Sequence, residues 1–206
     1  MTTTYTLTYF DVRGRAEPIR LLLAYAGIPF EDRGLSGDEW AKEKAASPLG
    51  QAPYLTEQRD GETRVIPQTM AIVRHLARAH GLDGKDEAER LGADVAAETA
   101  NDARAAHSAF RFSPLWTDED SRARFAAETL PAHLARLDKL LGDGAWFAAR
   151  GAGAPTYADV VAFDVLERLL ATWSTILEAW PRLAAFHTRV LALPQLGKYL
   201  ATRRPA

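Results

Sequence analysis

One tyrosine stands where a strand pattern gives way to an arginine-containing turn. Tyr5, Leu7 and Tyr9 alternate with a second set of side chains, which predicts a strand with one buried face. The following Asp-Val-Arg-Gly stretch breaks the pattern, so Tyr9 is predicted to lie at the junction of strand and loop. A phenol held there beside Arg13 and Arg15 could donate a hydrogen bond to an anion above the sheet edge, and a thiolate is the leading candidate. The alternative interpretation is an ordinary strand residue whose hydroxyl contacts solvent.

Bulk composition indicates a globular protein that acts on small molecules or other proteins. The 206 residues are 47% apolar and 25% charged, and they suffice for one large or two small domains. A net charge of -2 provides no positive field that would attract nucleic acid or anionic lipid. No signal-peptide pattern and no apolar run of about 18 residues is found, which predicts a cytoplasmic location.

The absence of cysteine restricts the chemistry. With no cysteine, the chain cannot form disulfides, thiolate metal sites or a mixed disulfide on the protein itself. Any sulfur chemistry must therefore use sulfur from the substrate.

The first eighty residues mix strand and helix patterns. Apolar residues at helical spacing follow Pro18 up to Gly27, and a second helical pattern runs from Thr69 to Gly81. Asp60-Gly61 is a strong hairpin-turn dipeptide between two short strand patterns. The predicted order is βαβ followed by ββα, with a second strand at 29–35 and a short helix around residues 38–44.

Strand signals largely vanish after a polar, glycine-containing stretch at residues 81–87, which we interpret as a linker. Long helices are predicted over 91–112 and 125–141. Thr156 and Asp159 form a capping-box pattern that opens a very apolar helix, predicted to be central. A last substantial helix is predicted over 183–193, after Pro181. Residues 88–206 are thus predicted to be all-helical.

Several motifs occur in a specific joint order along nearly the whole chain. They are Leu7-Thr-Tyr-Phe10 with Arg13-Gly-Arg-Ala-Glu17, Asp38-Glu-Trp40, Gly50-Gln-Ala-Pro53, Pro67-Gln-Thr-Met-Ala-Ile72, Thr156-Tyr-Ala-Asp159 and Arg203-Arg-Pro205. This pattern resembles the cytosolic glutathione transferases, in particular the sigma class that contains haematopoietic prostaglandin D synthase. The resemblance implies an α/β thioredoxin-like N-terminal domain over 1–80 that binds glutathione, and an all-α C-terminal domain over 88–206 that forms the electrophile pocket. The alanine- and arginine-rich composition further suggests a bacterial source.

The resemblance assigns the catalytic role to Tyr9 and Arg15. A cysteine thiol has a pKa near 8.5, so the enzyme must lower the pKa of glutathione to obtain the nucleophilic thiolate. A protonated Tyr9 hydroxyl would favour the sulfur anion by donating a hydrogen bond to it. A pKa shift of two units requires about 2.7 kcal/mol, comparable to one hydrogen bond to a charged group, and Arg15 would add positive charge nearby.

Further residues are predicted by the same resemblance to bind glutathione. Trp40 and Lys44 would bind its glycine end, and the helix start at Gln68 and Thr69 would receive the γ-glutamyl carboxylate. Without the resemblance, Trp40 and Lys44 would be interpreted as a solvated helix face. Gln68 and Thr69 would be interpreted as simple helix capping. A cis Ala52-Pro53 bond, beside Gln51, would present backbone groups to the peptide. Considered alone, Pro53 favours an ordinary trans bond.

The helical part is predicted to supply a carboxylate and part of the electrophile pocket. Asp94, Glu98, Asn101 and Asp102 form a polar row at helical spacing, which by itself indicates a solvated face. In related dimers a carboxylate of this helix reaches the neighbouring subunit's glutathione, and Asp102 is the candidate, which also implies a homodimer. Asn101 stands where the family often has Asp, so no metal is predicted. The pocket residues are expected to be Phe10, Val12 and Arg104, with Tyr157 or Leu200 as further candidates.

The leading hypothesis is therefore a homodimeric glutathione transferase that conjugates glutathione to hydrophobic electrophiles, a function typical of detoxification. A glutathione-dependent isomerase or peroxidase would use the same thiolate. A non-catalytic binding or scaffold protein with this fold is a further alternative, although a scaffold has no need of the predicted glutathione-binding set. Thiol-transferase chemistry of the omega or beta type is disfavoured because the chain has no cysteine.

Overall fold

The computed structural model describes residues 3–149 and 153–205, which form two compact units. The first unit, called the sheet unit, comprises residues 3–80 together with 193–205. The second, called the helical unit, comprises the described residues of 81–192. The sequence prediction placed everything after residue 88 in the helical domain, so the structure differs for the residues from Leu193 onward.

The sheet unit contains a mixed four-stranded sheet. Its strands are β1 (Thr3–Phe10), β2 (Glu31–Leu35), β3 (Tyr54–Arg59) and β4 (Glu62–Pro67), in the order β2-β1-β3-β4. β1 pairs parallel with β2 and antiparallel with β3, and β3 pairs antiparallel with β4. Asp60 and Gly61 connect the last pair with φ angles of 54° and 85°, so the predicted hairpin is confirmed.

Three helices of the sheet unit follow the predicted order. They are α1 (Glu17–Tyr25), α2 (Gly37–Glu43) and α3 (Thr69–Ala79). The apolar faces of α1 and α3 are buried, including Ile19 and Ile72 at 0% exposure. Ser36 caps α2 in a capping box with Glu39, whose carboxylate accepts a hydrogen bond from the Ser36 N–H at 2.7 Å. The peptide bond between Ala52 and Pro53 is cis, as the resemblance implied.

The helical unit contains α4 (Glu87–Arg111), α5 (Glu119–Arg124), α6 (Leu130–Leu141), α7 (Tyr157–Thr172) and α8 (Pro181–Leu191). A π-helical turn, Phe125–Thr129, joins α5 to α6, where the sequence predicted one regular helix over 125–141. Residues 157–166 of α7 are all buried, which confirms the predicted central helix. No described helix is both long and apolar enough to cross a membrane.

The start of α7 carries the predicted capping box in a buried setting. The Asp159 carboxylate accepts hydrogen bonds from the backbone N–H groups of Thr156 at 2.7 Å and Phe147 at 2.9 Å. Burial raises the pKa of Asp159 to about 6, and these hydrogen bonds oppose the rise. One carboxylate therefore fixes both the helix start and the preceding loop.

A ninth helix in the described residues, α9 (Pro194–Thr202), returns to the sheet unit and packs against α1. Pro194 lies in its first turn and Leu196 is fully buried. No separate helix is predicted here from the sequence, and the segment is only nine residues long. The polypeptide therefore leaves the sheet unit at residue 80 and rejoins it at residue 193.

Candidate active site

Tyr9 is the penultimate residue of β1, at the strand end as predicted, and is 9% exposed. Its hydroxyl oxygen accepts a hydrogen bond from the backbone N–H of Arg15 at 3.1 Å. In the described part of the chain, nothing accepts the hydrogen of this hydroxyl, so it is available for a ligand. The phenol is thus oriented by one backbone group while keeping its own donor capacity.

Gly14 makes this arrangement possible. It has a φ of +41°, and a Cβ atom built on it would lie 2.5 Å from Cε1 and 2.6 Å from the hydroxyl oxygen of Tyr9. The loop therefore packs directly on the phenol ring. Only glycine provides both the backbone conformation and the space.

The backbone of Arg15 forms hydrogen bonds with both Tyr9 and Thr69. Its N–H donates to Tyr9, and its carbonyl oxygen accepts a hydrogen bond from the Thr69 hydroxyl at 3.1 Å. Its side chain is exposed. The sequence predicted a role for the charge of Arg15, whereas the role visible in the fold is to connect the Tyr9 hydroxyl to the start of α3.

The start of α3 has the features of an anion site. Gln68 precedes the helix with a φ of 73° and ψ of 114°, a conformation that costs a non-glycine residue about 1–3 kcal/mol. Its side-chain amide donates to the Gln51 side chain at 3.2 Å, which joins two segments that the sequence analysis had predicted separately. Thr69 follows as the first helical residue and is 6% exposed. The N–H groups and positive dipole end of an 11-residue helix begin at this point.

An aromatic row connects Tyr9 to α2. The Phe10 ring packs edge to face against Tyr9, with centroids 5.2 Å apart, and against Trp40, at 5.7 Å. Lys44 follows α2 and is exposed. Val12 is 40% exposed. Elsewhere in the sheet unit, Pro53 is buried, whereas Ala52 and Leu200 are partly buried.

The predicted residues of the helical unit have different surroundings. Asp102 is exposed on α4, and Arg104 donates from Nε to the side-chain oxygen of Asn101 at 3.2 Å. Tyr157 is 2% exposed and its hydroxyl donates to Asp94. Tyr157 therefore belongs to the core of the helical unit, and we withdraw it as a pocket residue. Asp94, for the same reason, is more than a solvated member of the polar row.

Comparisons with known proteins decide the family. The sequence profile of the glutathione S-transferase N-terminal domain matches residues 5–78, and that of the glutathione S-transferase C-terminal domain matches residues 101–203. Hematopoietic prostaglandin D synthase of Gallus gallus is 36% identical over 206 residues, covering 97% of this chain and 96% of the relative. The chain belongs to the glutathione S-transferase family.

Further relatives and solved structures of this transferase support the same family assignment. Glutathione S-transferase P of Caenorhabditis elegans is 36% identical over 203 residues, covering 97% of this chain and 93% of the relative. Among solved structures, a Fasciola hepatica sigma class glutathione S-transferase superimposes with a TM-score of 0.88 at 30% identity, covering 99% of this chain and 98% of the other. Rat haematopoietic prostaglandin D synthase, complexed with a quinoline, has a TM-score of 0.85 at 30% identity, with 98% of each chain covered. The predicted fold class is confirmed, whereas these animal relatives give the predicted bacterial source no support.

A group of charged residues that contacts the loop between β1 and α1 of this transferase was not predicted from the sequence. Arg20 and Arg204 both donate to Asp32, and Arg20 also donates to the backbone carbonyl of Val12. The only signal was the Arg203-Arg204-Pro205 ending, which was noted for its resemblance alone. Within 3–149 and 153–205, no three His, Cys, Asp or Glu side chains are grouped to hold a metal ion, and the absence of a metal stays a prediction.

Proposed function

We propose that this chain is a sigma-like glutathione transferase in which the Tyr9 hydroxyl stabilises the thiolate of bound glutathione for attack on a hydrophobic electrophile. The observation that carries the proposal is the orientation of Tyr9. Its oxygen accepts the Arg15 N–H, and its hydrogen has no acceptor in the described residues. The hydroxyl is thus a fixed, unoccupied donor.

The energetics of this role are consistent with one phenol. Lowering a thiol pKa from about 8.5 to about 6.5 requires about 2.7 kcal/mol. A hydrogen bond to a charged group contributes about 1.5–3 kcal/mol, and a second donor on the phenol oxygen strengthens the first by polarising it. Tyr9 with the Arg15 N–H therefore provides stabilisation of the required size, and the Arg15 guanidinium would add to it.

The proposed glutathione site uses residues of the sheet unit. The α3 start at Gln68 and Thr69 would hold the γ-glutamyl carboxylate, because N–H groups and the helix dipole favour an anion there. The backbone of Ala52, between Gln51 and Pro53, would pair with the peptide. Trp40 and Lys44 would hold the glycine carboxylate through the indole N–H and the ammonium group.

Two parts of the proposal depend on further surfaces. Phe10, Val12 and Arg104 are proposed to line the electrophile site. Asp102 is proposed to bind the amino group of glutathione held by a second subunit, so the active species would be a homodimer, which light scattering tests. The cytoplasmic location remains a prediction.

The decisive experiment is the Tyr9→Phe variant. Because the donor is lost, the pKa of bound glutathione should rise by about two units, and kcat/KM for an aryl halide at pH 6.5 should fall about a hundredfold. Ultraviolet difference spectra of the thiolate and initial rates measure these quantities. Tyr54→Phe, which removes the hydroxyl that donates to Glu43 in the same unit, is the matched control and should retain activity. Full activity with an unshifted thiol pKa in Tyr9→Phe would refute the mechanism.

A second candidate function is glutathione-dependent isomerisation or peroxide reduction. It is favoured by the relatives named prostaglandin D synthases. A panel that compares an aryl halide, an endoperoxide and a lipid hydroperoxide distinguishes these activities. Calorimetry with glutathione tests the scaffold alternative, which predicts no binding heat.

A further inference from the structure

The C-terminal segment 199–205, called the tail, is bound to the loop that carries the Arg15 N–H. This loop, residues 11–15, is called the Tyr9 loop. The backbone N–H of Arg13 donates to the Pro205 carbonyl at 3.0 Å, and the Arg13 Nε donates to the Arg204 carbonyl at 2.9 Å. Arg204 in turn forms an ion pair with Asp11. Three contacts therefore connect the end of the chain to the loop between β1 and α1.

Asp32 on β2 connects the tail to a buried arginine beneath the same loop. Its carboxylate accepts from Arg204 Nε at 2.8 Å and from Arg20 Nε at 3.0 Å, and its carbonyl oxygen accepts from Arg204 Nη2 at 3.0 Å. Arg20 is completely buried. Its Nη1 donates to the carbonyl oxygens of Val12 at 2.9 Å and Arg13 at 3.2 Å. Two guanidinium groups that share one carboxylate thus hold the Tyr9 loop.

A second buried carboxylate anchors the tail to α1. Glu17 is 1% exposed and accepts a hydrogen bond from the Tyr199 hydroxyl at 2.8 Å. Arg203 and Arg20 lie 3.9 and 3.8 Å from the same carboxylate. Burial, followed by the charge of Glu17, raises the pKa of Tyr199 above its ordinary value. The tail is therefore fixed on both sides of Arg204.

We propose that Arg204 is a positioning residue for thiolate formation, acting through the Tyr9 loop. Its guanidinium group binds Asp11 of the Tyr9 loop and Asp32 of β2, and this anchoring also places its carbonyl oxygen to accept from the Arg13 side chain. The loop is thereby held with the Arg15 N–H directed at the Tyr9 oxygen, 3.1 Å away. That N–H polarises the phenol and makes it a stronger donor to sulfur. The inference rests on the proposed function, because it needs Tyr9 to bind a thiolate.

The titratable groups that face this network are Asp, Glu, Tyr and Arg side chains. Arg204 faces Asp11, Asp32 and the Arg13 side chain, and Asp32 also faces Arg20. The tail anchor adds Glu17, Arg203 and Tyr199. Tyr9 itself contacts the Arg15 N–H and the Phe10 ring. The reference pKa values of Asp, Glu, Tyr and Arg side chains lie outside pH 6 to 8, so the experiment follows the bound thiol in this range.

The test replaces Arg204 and measures the bound thiol. In Arg204→Gln the pKa of bound glutathione should rise by about one unit, and kcat/KM at pH 6.5 should fall about tenfold. The glutathione Kd should stay within about twofold, because Arg204 is proposed to act on acidity rather than on binding. Arg204→Lys retains the charge without the bidentate geometry, so it should show a smaller loss of about threefold.

Arg182→Gln is the matched control. Arg182 forms an ion pair with Asp138 between two helices of the helical unit. The Arg182→Gln substitution should therefore leave the pKa of bound glutathione unchanged. A merely structural role for Arg204 would lower the thermal midpoint or scale activity equally at every pH. That result, with the thiol pKa of Arg204→Gln equal to that of the parent, would overturn the inference while leaving the proposed function intact.

Two further outcomes are decisive. If Arg204→Gln does not fold, Arg204→Lys is measured in its place, and an unshifted thiol pKa in that variant overturns the inference. If the parent protein does not lower the thiol pKa of glutathione at all, the proposed function and this inference both fail.

Discussion

Gly14 and Tyr9 show how closely one residue of this protein depends on another. The sequence motif identified Tyr9 as the candidate donor, and its place at the end of β1 follows from simple alternation. The need for a glycine at position 14 could not be predicted, because it arises from the close packing of the loop backbone on the Tyr9 ring. The same limit applies to Arg15, whose charge is visible in the sequence but whose backbone contacts are not.

Gly14→Ala should therefore damage the site as well as the fold. The new Cβ would lie 2.5 Å from the Tyr9 ring, so we expect kcat/KM for conjugation to fall at least about tenfold and the free energy of unfolding by about 1–3 kcal/mol. Steady-state rates and urea unfolding measure the two effects.

Gly27→Ala provides the control for backbone strain. Gly27 also has a positive φ, of +66°, but no atom lies within 4 Å of its added Cβ. It should lose about 1 kcal/mol of stability and keep its activity. Equal loss of activity in the two variants would show that strain rather than the contact with Tyr9 is responsible.

At the scale of elements, two capping boxes of the same design have different surroundings. Glu39 at the start of α2 is exposed, whereas Asp159 at the start of α7 is 1% exposed. Removing Asp159 leaves the buried N–H groups of Phe147 and Thr156 without their acceptor. The cost of losing a cap should therefore depend on burial.

Asp159→Ala should lower the free energy of unfolding by about 2–5 kcal/mol, because each unsatisfied buried donor costs about 1–3 kcal/mol. Glu39→Ala should lower it by clearly less, since water replaces the lost acceptor. Chemical denaturation of both variants checks the difference. Similar losses would mean that the α7 capping box contributes no more than a surface cap.

Elements were predictable where their signals are local. The hairpin dipeptide Asp60-Gly61 and the apolar face of α7 are local, and both were predicted correctly. The helix α9 was missed because it is only nine residues long, which leaves Leu196, Tyr199 and Leu200 as a single turn of apolar spacing. The π-helical turn at 125–129 was missed because helical spacing does not distinguish it from regular helix.

At the scale of the whole molecule, the stability of the helical unit should depend on pH through His107. This residue is 9% exposed, its ring lies between Trp116 and Trp173, and its Nε2 has no hydrogen-bond partner in the described residues. Burial, with smaller contributions from the positive charges of Arg168 and Arg111, lowers the pKa of His107 to about 4. Protonation therefore favours the unfolded chain.

The direction of the effect follows from the two pKa values. Between pH 6.5 and about 4 the unfolded chain binds the proton and the folded chain does not, so stability is retained above pH 6.5 and lost as the pH falls. The loss of unfolding free energy attributable to His107 is about 3 kcal/mol. His107→Phe, which cannot take up a proton, should show a correspondingly smaller loss in urea unfolding between pH 7 and 4. An unchanged pH dependence in this variant would contradict the assignment.

The network beneath the Tyr9 loop shows why part of the site is invisible in the sequence. Arg204 and Asp32 are 172 positions apart in the chain yet form two hydrogen bonds. Neither helical nor strand periodicity relates residues at such a distance, and a buried arginine such as Arg20 is indistinguishable from a surface one by type alone. Local motifs therefore predicted the residues that are proposed to bind glutathione. They did not predict Arg20, Asp32 and Arg204, which hold the Tyr9 loop in place.

The return of the chain to the sheet unit has a consequence for biosynthesis. Because residues 193–205 belong to a unit that begins near the N-terminus, the ribosome must synthesise the whole helical unit before the sheet unit has all its parts. Nascent chains stalled before Leu193 should therefore present an unfinished first domain, with the binding surface for α9 on α1 still exposed to chaperones and proteases.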